Sequence, residues 1–230
     1  MHLCLRKAAM NLASSLKSRI IPLDIRTFLE TCAEAFDEAE GYLTDDRIVV
    51  RTFRSNPGNR SLDHVIPKVA ILNALYRTQI FNVYGMAEHI ISQPLDGLLG
   101  QDRVAAVSRI RGGHGLRTKS GGEWDFYSFA TKYCHFHRPD VYPIYDAYVC
   151  VGLRWLDRYL ASGRRLTFDS MRDYELFSGL VERVRADVWP GRTDFKRVDQ
   201  ALWVLGTLIE SDADKEITLR TGPLPDRSPE

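Results

Sequence analysis

The sequence predicts an all-α protein of 230 residues. Three observations carry that prediction. Apolar residues recur at three- and four-residue steps through most of the chain, and glycine, proline or charged turns separate the periodic segments. Only one short run, "RIVVRTF" at residues 47–53, reads as a possible β element. The chain is expected to form one multi-helix, two-lobed domain over residues 1–212, with a flexible tail, "TGPLPDRSPE" within it, over residues 213–230.

From Asp24 to Glu40 the residues Ile25, Phe28, Leu29, Cys32, Ala35 and Phe36 share one helix face, with Asp24 as N-cap and Gly41 as stop. The breaker "SNPGN" follows the possible strand. Helical patterning resumes at Ser61 and is strong from Pro67, read as a first-turn position, to Thr78. Further helices are expected over Val83–Ser92, Gln101–Arg111, Trp124–His137, Asp146–Ala161, Asp169–Asp187 and Asp194–Ser211. No internal repeat is visible.

Composition narrows the function classes. With 31 basic and 30 acidic side chains the net charge is +1, so no global field draws the protein to nucleic acid or anionic membrane; binding of either must come from a local patch. The apolar runs "VIPKVAIL" and "ALWVLGTLI" are well short of the roughly 20 residues of a membrane span. The N-terminal stretch lacks the uninterrupted apolar centre of a secretory signal, so the expected location is cytoplasmic. Cys4, Cys32, Cys134 and Cys150 are scattered without paired spacing, which signals neither a disulfide framework nor a cysteine-rich zinc site. In "CHFH", Cys134, His135 and His137 diverge around one helix and do not suit a shared metal.

The segment richest in chemistry is "ATKYCHFHRPDVYPIYDAYV", residues 130–149. On its first helix Phe129, Lys132, Tyr133 and Phe136 are neighbours, which puts an amine beside aromatic surface. Desolvation there favours the neutral, nucleophilic form of lysine. Asp146 opens the next helix, where unpaired backbone N–H groups stabilise an ionised carboxylate. A solvated lysine and a plain N-cap are the ordinary alternatives for these two residues.

The order of glycine-containing loop, helix with Lys132, short turn, then Pro143-x-x-Asp146 opening a helix resembles the catalytic segment of the helix-hairpin-helix DNA glycosylase superfamily, and within it the 8-oxoguanine glycosylase-like branch. The likeness covers about 50 residues of "RGGHGLRTKSGGEWDFYSFATKYCHFHRPDVYPIYDAYV" and its flanks. It implies excision of a damaged or modified base from DNA. Lys132 would attack the sugar C1′ or assist base departure, and Asp146 would stabilise positive charge on the deoxyribose or orient a nucleophile. An imine at Lys132 would also permit strand cleavage by β-elimination. The resemblance implies no cofactor and a DNA partner; an oxidised purine and a hypermodified base of invading phage DNA both stay open as substrates.

Around this segment, Arg103, Arg109, Arg111, His114, Arg117 and Lys119 form a local basic stretch without an acidic residue, and Arg109, Arg111, His114, Arg117 and Lys119 are the candidate DNA contacts. Candidates for a base pocket are Tyr76, Gln79, Trp124, Tyr127 and Tyr145, with Phe126 and Tyr142 nearby. Two other classes remain open. "RIRGGH" fits the loose Arg-x4-His pattern of HEPN-type ribonucleases, and the amphipathic faces suit a non-catalytic helical interaction protein.

Overall fold

The computed structural model describes residues 24–37, 40–115, 124–160, 165–191 and 194–210. The described residues are helical throughout, without a strand. Among the described residues ten α-helices run in the order α1 (Ile25–Asp37), α2 (Glu40–Ser55), α3 (Leu62–Tyr76), α4 (Val83–Ile91), α5 (Leu95–Gln101), α6 (Arg103–Arg111), α7 (Tyr127–His137), α8 (Ala147–Leu160), α9 (Tyr174–Val188) and α10 (Lys196–Glu210). No helix among them is long and apolar enough to cross a membrane. Residues 213–230, read as a tail, lie outside the described residues.

The chain divides into two compact units: Met1–Gly41 with Asp146–Glu230, and Tyr42–Tyr145. In the first unit α10 packs on both α1 and α8. Phe28, Leu29 and Cys32 from α1, Val149, Leu153 and Leu156 from α8, and Leu202 and Leu205 from α10 are all buried. Small residues let α8 and α10 approach closely. A Cβ placed on Gly152 would stand 2.8 Å from the carbonyl oxygen of Leu202, and one on Gly206 would collide with the carbonyl oxygen of Tyr148.

Aspartates start several of these helices by accepting from backbone N–H groups that lack an intrahelical partner. Asp24 Oδ1 takes Arg26 N–H at 2.9 Å and Thr27 N–H at 3.1 Å. Asp173 Oδ1 takes those of Glu175 and Leu176 at 2.9 and 3.2 Å, and Asp194 Oδ1 takes that of Lys196 at 3.0 Å. Because Asp173 caps α9, the expected helix from Asp169 is instead a single 3-10 turn, Ser170–Arg172, followed by α9.

The second unit is built from α2 to α7, with α3 packed on α4 and α7, and α6 on α5 and α7. Residues 47–53 are helical, which corrects the strand expectation. Val49 and Phe53 are buried four residues apart, a spacing that both periods satisfy, but Arg51 between them is exposed. A strand would have turned Arg51 to the same face as its apolar neighbours; a helix turns it away. Pro67 lies inside α3 rather than in its first turn, because the helix already begins at Leu62. The helix expected from Gln101 starts at Arg103, since Asp102 ends α5 and caps α6 by accepting Ala105 N–H at 2.9 Å. Residues 124–126 precede α7 outside the helix, which begins at Tyr127.

Candidate functional site

Lys132 lies on α7, a helix from which Phe129, Ala130, Thr131, Tyr133, Cys134 and His135 are also buried. It is 3% exposed, so it is not the solvated lysine of the ordinary alternative. Its Nζ donates to Ser128 Oγ at 2.7 Å and to the Tyr145 carbonyl at 3.2 Å. The same carbonyl accepts from Ser128 Oγ at 3.2 Å, and Tyr145 N–H donates to Thr131 Oγ1 at 3.0 Å. Three consecutive-turn side chains of α7 thus fasten the backbone of Tyr145, the residue that ends the Pro143–Tyr145 segment.

An aromatic ring stands beside the amine. Lys132 Nζ stands 5.9 Å from the centroid of Tyr76, within cation–π range. The Tyr76 hydroxyl donates to Asp46 Oδ1 of α2, and its ring meets Phe136 at 5.6 Å. Tyr127 and Tyr145 have ring centroids 4.4 Å apart. Of the residues expected around a base, Tyr76, Tyr127 and Tyr145 therefore cluster by ring contact or by contact with Lys132. Gln79 is exposed in a left-handed backbone conformation at φ 59°, and Trp124 stacks on Phe126 at 5.7 Å.

Asp146 belongs to the other unit, where it starts α8: its Oδ1 accepts Tyr148 N–H at 3.0 Å and its carbonyl accepts Cys150 N–H at 3.0 Å. The N-cap reading of Asp146 is thereby realised. Among the expected DNA contacts, Arg111 is committed locally. Its guanidinium forms a two-pronged ion pair with Asp125 at 2.8 and 2.6 Å and lies 4.4 Å over the ring of Tyr127. Arg109 is exposed. The side chain of His114, together with Arg117 and Lys119, lies outside the described residues. Since α6 ends at Arg111, Arg109 and His114 do not share a continuous helix as a HEPN-type pair requires.

A second cluster in the same unit escaped the sequence reading. Lys68 of α3 is fully buried, and its Nζ donates to the Gly58 carbonyl and to Asn59 Oδ1, both at 2.8 Å, and lies 3.2 Å from His137 Nε2. Tyr133 donates to the same Asn59 oxygen at 2.6 Å, while Asn59 Nδ2 donates to Asp96 at 2.8 Å. With His137 neutral and protonated on Nδ1, the three protons of a Lys68 ammonium meet three acceptors. Burial pushes Lys68 down to about 7, with Asp96 opposing. Burial, then the charge of Lys68, pushes His137 down to about 3. Burial also raises the Tyr133 phenol well above its ordinary value.

The clue in the sequence was a lysine inside the apolar run "VIPKVAIL", on the face shared by the buried Val65 and Leu72. Among the described residues no group of three His, Cys, Asp or Glu side chains is arranged to hold an ion. Cys32, Cys134 and Cys150 are buried, and burial pushes the Cys32 and Cys134 thiols up, away from the reactive thiolate.

Fold and site define an all-helical protein whose unit Tyr42–Tyr145 buries two lysines, each held by hydrogen bonds from several chain segments. Residues 28–141 match the HI_0787_N family, described as an N-terminal domain. An uncharacterized protein of Haemophilus influenzae is 32% identical over 152 residues, covering 64% of this chain and 69% of that relative. The chain belongs to this family. The matched region contains Asn59, Lys68, Tyr76, Lys132 and His137 and stops before Asp146. No solved structure matches the chain.

Proposed function

We propose that the protein is a DNA glycosylase that cleaves the N-glycosidic bond of a damaged or modified base, with Lys132 and Asp146 as its reacting groups. The observation that supports this reading is the setting of Lys132: a buried amine beside the Tyr76 ring, donating to the backbone oxygen of the residue immediately before Asp146. An amine so placed is shielded from bulk water, which favours its attack as a nucleophile over simple solvation. Attack of neutral Nζ on C1′ forms the C–N bond as the bond to the base breaks. The departing base takes up a proton and the protonated amine loses one; the nitrogen lone pair then expels the ring oxygen O4′, which takes up a proton as the C1′–O4′ bond breaks, and loss of the remaining N–H proton leaves the imine between Nζ and C1′. A fixed carboxylate such as Asp146 stabilises the oxocarbenium-like charge between these events. The amine must first leave Ser128 and the Tyr145 carbonyl, so substrate entry and opening of those two hydrogen bonds are one event in this reading.

A second reading has its own support. The hydrogen bonds of Lys132 are also those of a structural tether between α7 and Tyr145, as expected of a non-catalytic helical binding protein. One experiment separates the two. Purified protein is incubated with DNAs carrying oxidised, deaminated, alkylated or hypermodified phage bases, and abasic sites are counted beside Lys132→Ala and Asp146→Ala. Abasic sites formed by the parent and lost in both variants support excision and name the base. Borohydride trapping of a covalent protein–DNA adduct supports the imine. No abasic sites on any DNA sinks the glycosylase reading and leaves the tether.

A further inference from the structure

Phe81 is 77% exposed, and the fold holds it there deliberately. The connection between α3 and α4 carries two non-glycine residues in the left-handed region, Arg77 at φ 50° and Gln79 at φ 59°. Such conformations cost energy and persist only where surrounding contacts impose them. The Asn73 side chain imposes this one: Nδ2 donates to the Ile80 carbonyl at 3.0 Å, and Oδ1 accepts Ile80 N–H at 2.8 Å. Ile80 is buried, which turns the next residue, Phe81, outward. Its ring meets Trp124 at 5.6 Å, and Trp124 in turn stacks nearly parallel on the buried Phe126. A rigid aromatic step therefore rises from the core to the surface.

Cations accompany the step. Arg77 on the same connection and Arg109 on α6 are exposed, and neither guanidinium has an ion-pair partner among the described residues. The backbone of Arg109 is fixed because His89 Nε2 donates to its carbonyl at 2.7 Å. Phe126 N–H donates to the Arg111 carbonyl at 3.1 Å, which joins the base of the aromatic step to the end of the basic helix α6. Tyr84 is also exposed, but the exposed acid Glu88 stands one turn further along α4, so Tyr84 is left out of the surface.

An exposed Phe81 ring resting on a half-buried Trp124, with exposed guanidinium groups in the same unit, suits an anionic polymer with accessible flat faces. We infer that Phe81 and Trp124, with Arg77 and Arg109, form a stacking surface for an unpaired DNA strand. A duplex presents phosphates to the arginines but hides the faces of its bases, whereas a single strand offers both. The inference goes beyond base excision, and shares with that reading only the polymer that is bound. It needs none of the chemistry of Lys132.

Binding is measured by fluorescence anisotropy with labelled 15-mers of thymidine, of uridine, and of a mixed-sequence duplex, for the parent and for Phe81→Ala, Phe81→Trp, and Arg77→Ala with Arg109→Ala. The parent is expected to bind the thymidine strand more tightly than the duplex. Phe81→Ala should weaken that binding by about 5- to 100-fold at an unchanged melting temperature, and Phe81→Trp should retain it. The double arginine variant should flatten the salt dependence by more than one unit of log–log slope, at about 0.7 per phosphate contact on single strands. No binding by the parent, equal or tighter duplex binding, or an unaffected Phe81→Ala overturns the inference. A preference for uridine over thymidine overturns the assignment to DNA. Excision by Phe81→Ala is measured in parallel, so loss of strand binding and loss of excision are read independently.

Discussion

Lys68 and His137 face each other across 3.2 Å inside the unit Tyr42–Tyr145, with Lys68 Nζ donating to Asn59 Oδ1 at 2.8 Å and to His137 Nε2, a nitrogen that lies 3.2 Å from the same oxygen. Asn59 carries the arrangement further, because its Nδ2 donates to Asp96, which also pairs with Arg60 at 3.1 Å. The buried cation thus reaches the Asp96 carboxylate through an amide. That explains why burial dominates Lys68 while the attraction of Asp96 remains secondary.

The first prediction follows from Lys68. Its folded value of about 7 is below its ordinary 10.5, so between these values the unfolded chain binds more protons than the folded one. Stability should therefore rise as pH rises from about 7 towards 10.5, and the burden should be fully present below 7. Urea midpoints of the parent and Lys68→Met at pH 6.5, 8 and 9.5 check this by difference. The parent should gain on the variant as pH rises; a constant gap would show that Lys68 keeps its proton throughout.

The second concerns acid. His137 is pushed from 6.5 down to about 3, so the unfolded state again binds more protons across that interval, and stability should be lost as pH falls from 6.5 to 3. His137→Gln retains an acceptor without titrating. Its acid transition should lie at lower pH than that of the parent when followed by far-UV circular dichroism. Coincident transitions would remove His137 from the acid response.

The third concerns the contact of α8 with α10. A methyl group on Gly206 would meet the Tyr148 carbonyl, a backbone atom that cannot rotate aside, so Gly206→Ala should destabilise by about 1–3 kcal/mol despite the better helix propensity of alanine. Gly179→Ala on α9 is the control, because nothing stands within 4 Å of its added Cβ. Thermal melts should separate the two variants. Equal melting temperatures would mean that the helices part without cost.

These predictions also show what was legible in the sequence. Asp24, Asp146 and Asp194 were readable as helix starts because capping is a local competition for backbone N–H groups. Residues 47–53 were misread because Val49 and Phe53 satisfy both periods, and only the exposure of Arg51 decides between them. Helix α5 went unseen because its seven residues include Gly97 and Gly100 and span only two turns. The Lys132 neighbourhood was legible through its spacing on one helix. The Lys68 cluster was not, because its members are separated by 9, 37 and 69 residues along the chain, and no local pattern links them. Phe81 was hidden for a related reason: its exposure depends on the clamp made by Asn73, which sequence spacing does not express.

The last prediction separates the tether from the chemistry at Lys132. Lys132→Met leaves Ser128 Oγ and the Tyr145 carbonyl without a donor in a buried setting, and should cost about 1–3 kcal/mol of stability. Ser128→Ala removes one acceptor but keeps the amine and the Tyr145 carbonyl contact, and should cost about 1 kcal/mol. If the amine only fastens Tyr145, any activity of the protein should decline in the order of these losses and recover at low temperature, where both variants are folded. If the amine reacts, Lys132→Met should be inert at every temperature while Ser128→Ala forms the borohydride-trapped adduct. Excision assays at 15 and 37 °C beside melting curves make the comparison. Ser128→Ala should trap faster, because its amine leaves one hydrogen bond fewer on the way to the sugar; an adduct formed by Lys132→Met would place the nucleophile elsewhere.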